Sequence, residues 1–144
     1  MEIKPVAHIH TDFPQKFGIP RQSGLVKTMG RIVFEKEYRS IDAVKGLDGY
    51  SHIWLIWQFS KNVTESPSLT VRPPRLGGNK RVGVFATRSS FRPNFMGLSS
   101  VKLLGIEYDE NLGPVLLVEG ADMADNTPIF DIKPYLAYTD SHSD

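Results

Sequence analysis

The chain has 144 residues, no cysteine, and 17 basic against 16 acidic residues, for a formal net charge of +1. That length suits one ordinary domain with a core of its own, and the missing cysteines exclude a disulfide framework, a thiolate nucleophile and a cysteine-rich zinc cluster. Met1-Glu2-Ile3-Lys4-Pro5 has no signal pattern and no apolar run reaches the roughly 20 residues of a membrane span, so a cytoplasmic protein is expected.

Short apolar or alternating stretches rich in Val, Ile, Phe, Tyr and Trp recur between turn signals. They predict strands over residues 6–10, 30–34, 52–59, 81–85, 101–108, 115–119 and 129–132. The spacing predicts an all-β barrel or sandwich. His8 and His10 lie two apart, as strand neighbours on one face would, and with His52 and His142 they lack a metal-binding HExxH arrangement, so no metal is expected. Only residues 40–47 read as helical, with Ser40 as N-cap, Asp42 in the first turn and Gly46 near the stop. His52-Ile53-Trp54-Leu55-Ile56-Trp57 is nearly all apolar and predicts a central strand buried on both faces. Trp54 and Trp57, three apart, face opposite sides and read first as core or interface residues, with base stacking as the second reading. Residues 101–108 and 115–119 form a hairpin across Asp109-Glu110-Asn111-Leu112-Gly113. Two segments break the β rhythm, residues 13–24 and 70–79, where prolines fix φ and glycines allow tight turns or close approach to a ligand.

Residues 66–106 contain no acid, yet carry Arg72, Arg75, Lys80, Arg81, Arg88, Arg92 and Lys102. Seven positive charges there leave the remainder of the +1 chain at −6, so charge is segregated. Arg outnumbers Lys, and its planar fork binds phosphates and carboxylates bidentately, which argues for an anion site over a merely solvated face. Familiar nucleotide motifs are missing. Gly77-Gly78-Asn79-Lys80-Arg81 lacks Walker spacing, no GxGxxG follows a strand, and no Gly-x-Ser-x-Gly occurs. The late run from Asp125-Asn126-Thr127-Pro128 to Tyr135 reads as a turn followed by a short strand, with Asp131 flanked in sequence by Phe130 and Ile132. A carboxylate in apolar company has an altered proton affinity once desolvated.

Five ordered motifs carry a family resemblance over nearly the whole chain. They are Pro20-Arg21-Gln22, Arg72-Pro73-Pro74-Arg75-Leu76-Gly77-Gly78-Asn79, Val82-Gly83-Val84-Phe85-Ala86-Thr87-Arg88-Ser89, Arg92-Pro93-Asn94 and Asp131-Ile132-Lys133-Pro134-Tyr135. Together they resemble the TsaA-like, TrmO-type tRNA (adenine-N6)-methyltransferase family. The resemblance implies a single-domain β-barrel over residues 1–144, with one short helix and long functional loops. It further implies a homodimer that binds S-adenosyl-L-methionine without a Rossmann fold and methylates N6 of threonylcarbamoyl-adenosine beside the tRNA anticodon. Cofactor contacts carried over by matching positions are Pro20, Arg21, Gln22, Ser60, Lys61, Arg88, Leu98, Asp125, Asn126, Thr127 and Pro128.

The chain departs from the family pattern in three places. Arg92-Pro93-Asn94-Phe95-Met96-Gly97 stands where members read Arg-Pro-Asn-Pro-Ile/Leu-Gly, and Asn126 stands where they read glycine, a position at which Asn tolerates the left-handed conformation better than most residues. Longer relatives also carry an additional C-terminal domain, which is not expected in this chain.

Methyl transfer from a sulfonium requires donor and acceptor to be held in line at about 3–3.5 Å. The urea-like nitrogen of the substrate has a delocalised lone pair, so a base is expected. Asp131 is nominated, with Asp125 as the competing choice. Arg72, Arg75, Lys80 and Arg92 are the cations available for RNA phosphates and the threonyl carboxylate, and Tyr50 or Phe91 for stacking a base. Two other readings stand beside this one: a non-catalytic cofactor- or RNA-binding barrel, and a methyltransferase acting on a different small molecule or RNA.

Overall fold

The computed structural model describes residues 1–11, 29–59, 69–72 and 80–143. Their strands are β1 (Ala7–Thr11), β2 (Met29–Phe34), β3 (His52–Gln58), β4 (Thr70–Val71), β5 (Val82–Gly83), β6 (Met96–Asp109), β7 (Gly113–Glu119) and β8 (Thr127–Pro134). Two one-turn helices, α1 (Ile41–Val44) and α2 (Ala137–Asp140), accompany them. Six strands close into a barrel in the order β1-β2-β7-β6-β3-β8, every neighbouring pair antiparallel. β4 and β5 form a separate small sheet, tied by Arg81, whose Nε and Nη2 donate to Thr70 Oγ1. The expected all-β barrel is the fold observed.

Alternation along each strand decides what fills the barrel. On β1, Ala7 and Ile9 are fully buried while His8 and His10 share the outer face, as their spacing requires. Ile9, Ile32, Ile53, Leu55, Leu116, Val118 and Ile129 meet inside, joined by Val44 from α1 and by Ala121 and Met123 from the β7–β8 connection. Each such side chain withdrawn from water contributes about 1.5–3 kcal/mol. Two register shifts help the strands bend: Leu104 is the extra residue where β6 passes β7, and Phe130 where β8 passes β3.

Several predicted elements move. The strand predicted over 101–108 begins five residues earlier, at Met96, because Met96–Ser100 pair with β3 despite their Gly and Ser content. The strand predicted over 81–85 stops at Gly83; Val84–Ala86 instead make a 3-10 turn that buries Val84 and leaves Phe85 78% exposed. The predicted hairpin is present, with Asp109 opposite Gly113 and the Asp109 carboxylate accepting from the amides of Asn111 and Leu112 at 2.8 and 2.9 Å. Gly113 supplies the positive φ of 68° that this turn needs. Those two amide bonds hold the Asp109 carboxyl below its ordinary value. Ser40 caps α1 as expected, accepting from the Asp42 amide at 3.2 Å.

Strand β3 is buried on one face, not two. Ile53 and Leu55 point into the core, whereas Trp54 points outward, packs on Tyr135 with centroids 5.8 Å apart, and donates its indole N–H to Asp140 Oδ2 at 2.9 Å. The apolar outer residue is thus covered by the C-terminal segment, including α2, which sequence patterning did not reveal. The Leu136 amide also donates to Asp140 Oδ2, and these two bonds, the Leu136 one first, hold the Asp140 carboxyl below its ordinary value of 3.8. A carboxylate depressed in the folded state contributes stability that is fully present above the unfolded value and is lost as pH falls through the folded one. Asp140→Asn is therefore expected to melt lower than the parent at pH 7, with the gap closing below about pH 3.8. Thermal melts across pH 2.5–7 check this, and a gap independent of pH would exclude the charged latch.

Candidate functional site

Where β3 ends and β6 and β8 begin, the barrel opens into a cleft of about 640 Å³. Its base is formed by Met123 and Thr127, both nearly fully buried. One wall is aromatic: the Trp57 and Phe59 rings lie 4.4 Å apart, and the Trp57 indole N–H donates to Ser99 Oγ at 3.0 Å. Trp57 faces Gly97 across the β3–β6 pair, and a Cβ on Gly97 would stand 2.5 Å from the indole ring. Glycine at 97 is what permits the ring to lie flat there. Met96, Leu98 and the exposed Phe85 extend this apolar lining, while Arg88, Arg92 and Asp122 supply its charges.

The segment carrying the arginines is braced by its own hydroxyls. Thr87 Oγ1 donates to Val84 O and accepts from the Ser89 amide, and Ser89 Oγ accepts from the Phe91 amide. Arg92 Nη1 donates to Thr87 O at 2.8 Å and Ser89 O at 3.2 Å, so this guanidinium ties the loop together. Arg88 is exposed and donates only a long 3.3 Å bond to Leu98 O among the described residues. Of the two, it is the more exposed to an incoming anion. Beyond Arg92 the chain turns through Asn94 and Phe95 at positive φ, 67° and 50°. For Phe this is strained, at a cost of order 1–3 kcal/mol. A proline, with φ near −65°, cannot adopt it, so the departure at Phe95 from the family's proline has a structural counterpart.

Residues 120–126 close the cleft from the other side. Asp125 Oδ1 accepts from the Thr11 amide at 2.9 Å with His10 Nδ1 at 3.6 Å, and the Asn126 amide donates to Ile9 O. Asn126 does adopt the left-handed conformation, with φ 66°. Asp125, Asn126 and Pro128 thus shape the turn without lining the cleft. Thr127 alone of the four reaches it, its hydroxyl donating to Ala124 O at 2.7 Å.

The structure brings Arg88, Leu98, Thr127 and Arg92 together and separates the others. Asp131, nominated as the base, lies four residues along β8 from Thr127, about 13 Å at the rise of a strand. There it pairs with Lys133 Nζ at 3.1 Å and lines a different cavity, of about 420 Å³, with Tyr38, Lys45 and Tyr50. Arg72 and Lys80 are exposed beside the β4–β5 sheet and do not line the cleft. Pro20, Arg21, Gln22, Ser60, Lys61 and Arg75 fall outside the described residues. Sequence reasoning passed over Asp122 and favoured a core or interface place for Trp57 over base stacking. The signal for Asp122 was the one applied to Asp131, a carboxylate between apolar neighbours, here Ala121 and Met123. Protein atoms crowding that carboxyl raise its pKa above 3.8, although the residue as a whole still reaches solvent.

These elements define a closed antiparallel β-barrel domain with an aromatic, arginine-bearing cleft at one end. Residues 8–141 match the tRNA-methyltransferase O N-terminal domain, and the chain belongs to that family. It is 42% identical over 144 residues to the tRNA (adenine(37)-N6)-methyltransferase of Escherichia coli K12, covering 99% of this chain and 61% of that one. A "probable S-adenosyl-L-methionine-binding protein" of Methanothermobacter thermautotrophicus is 36% identical over 141 residues, covering 98% and 94% respectively. Among solved structures, the crystal structure of TrmO superposes with a TM-score of 0.81 at 36% identity, and that of TrmO from Pseudomonas aeruginosa with 0.79 at 35%. This chain spans about three-fifths of the length of either.

Gly97→Ala is expected to push the Trp57 ring aside and destabilise the fold by about 1–3 kcal/mol, as overpacking does. Urea unfolding measures the loss. The Trp fluorescence of the folded variant should shift as the indole leaves Ser99, and unchanged stability and emission would contradict the close contact.

Proposed function

We propose that this domain binds S-adenosyl-L-methionine in the end cleft and methylates N6 of adenosine 37 in tRNA, with threonylcarbamoyl-adenosine as the acceptor. The observation that carries the reading is the convergence of Arg88, Leu98 and Thr127, from separate segments of the chain, on one cleft walled by Trp57 and Phe59. The residues present fit the cofactor. About 640 Å³ is the size of a drug-sized ligand site, the aromatic wall suits an adenine face and a sulfonium cation, and the exposed Arg88 suits a carboxylate. When bound, the cofactor supplies an electrophilic methyl group on a sulfonium. The chain's own task is positioning. Met96, Leu98 and Met123 exclude water from the walls, the hydroxyl-braced 87–91 segment presents Arg88, and the Thr127–Ala124 bond keeps the turn from shifting.

The RNA-facing role of Arg72 and Lys80 is supported by their exposure in a segment without acids, where no carboxylate competes for a phosphate. A homodimer is proposed as well, supported by the exposed Leu69 and Phe85 near the cleft. Sedimentation at micromolar concentration tests it, and a monomer would remove it.

Calorimetry with S-adenosyl-L-methionine and mass spectrometry of anticodon-loop nucleosides test the main reading. Arg88→Ala is expected to weaken cofactor binding roughly ten- to a hundredfold, the worth of a charge-assisted hydrogen bond, with an unchanged melting temperature. Absence of cofactor binding by the parent chain would overturn the reading, and binding without methylation of any nucleoside would favour a non-catalytic module.

A further inference from the structure

Arg88, Arg92 and Asp122 are the charged side chains among the described residues that line the end cleft, and no histidine joins them. Among the described residues Asp122 is therefore the one carboxylate that lines the cleft. Its backbone is pinned from both sides. Ala121 and Met123 are fully buried, Met123 O accepts from Thr11 Oγ1 at 3.1 Å, and Ala124 O accepts from Thr127. With both neighbours on the core side, the exposed Asp122 lines the cleft, while the nearby Asp125 is occupied by the Thr11 amide and His10. Among the described residues Asp122 makes no ion pair.

Building on the methyltransferase reading, we propose that Asp122 is the catalytic proton acceptor for the substrate nitrogen. Replacing N–H by N–CH₃ forms one nitrogen–carbon bond as the donor's sulfur–carbon bond breaks with its electron pair left on sulfur. The N–H proton passes to the Asp122 carboxylate and from there to water. The delocalised lone pair of the acceptor makes such assistance worthwhile, since removing the proton restores electron density at nitrogen. A carboxyl raised above its ordinary range by crowding is the better base, because general-base efficiency improves as the pKa approaches the working pH. The bond from Asp122's own backbone amide acts in the opposite sense without cancelling the rise; Arg88 and Arg92 are the charged groups that share the cleft with it.

The test is Asp122→Asn in the full chain, read three ways. Calorimetry should give cofactor affinity within about threefold of the parent, under a kilocalorie of binding energy. Single-turnover methylation of tRNA should fall about 10²- to 10⁴-fold, the usual worth of a general base, and lose the acidic limb of the parent's pH profile. Thermal melts supply a readout independent of activity. A raised folded pKa means the ionised carboxylate is disfavoured in the folded state, so the variant should melt higher than the parent at pH 7, with the gain vanishing below about pH 3.8. Near-parental turnover with an unchanged pH profile would overturn the assignment, as would a large loss of cofactor affinity, which would make Asp122 a cofactor ligand. A parent chain that binds cofactor and methylates while Asp122→Asn does the same leaves the functional reading standing and removes this inference alone. A parent chain that does neither overturns both.

Discussion

Closure of the barrel between β8 and β1 is the constraint on which the site depends. A sheet that meets itself has no open edge, and here the meeting is reinforced just outside the strands, where the Asn126 amide reaches Ile9 O and Asp125 takes the Thr11 amide. Those bonds hold the 120–126 connection against β1, which seats Met123 in the core and Asp122 and Thr127 in the cleft. The same contact that completes the sheet thus positions one side of the candidate site.

The other side is positioned by a single steric concession. Gly97 lets the Trp57 indole lie across the β3–β6 pair, and the ring, packed against the core on one side, makes an aromatic wall with Phe59. Above it stands a loop held by hydroxyl-to-backbone bonds and by Arg92, with Asn94, Phe95 and Asn126 at positive φ around the cleft. Strained non-glycine residues of this kind persist where surrounding structure over-determines them, and they gather at functional sites. Stability given up there is recovered in a core of alternating aliphatic side chains at the barrel centre.

Charge follows the same division. The acid-free stretch contributes Arg88 and Arg92 to one wall, and the β7–β8 connection contributes Asp122. The basic residues do not act as one patch. Arg92 braces its own loop through Nη1, Arg81 holds Thr70, and Arg88, with one long bond to Leu98 O, is the exposed arginine of the cleft.

The sequence by itself determined the β class, most strands, the 101–119 hairpin, the Ser40 cap and the left-handed turn at Asn126, because these rest on local periodicity and on residues with narrow backbone preferences. Its five motifs also pointed to the family, and positions matched within that resemblance pointed to Arg88, Leu98 and Thr127. Only the tertiary structure decided which carboxylate joins them. Asp122 and Asp131 look alike in sequence, each beside apolar neighbours, but β8 carries Asp131 away from the cleft while the pinned connection turns Asp122 toward it. The one-sided burial of β3 was likewise settled by a distant partner, the Trp54–Asp140 contact, across 86 residues of chain. Pattern reports which side chains avoid water locally; which distant groups meet is set by strand order and closure, and no local window contains either.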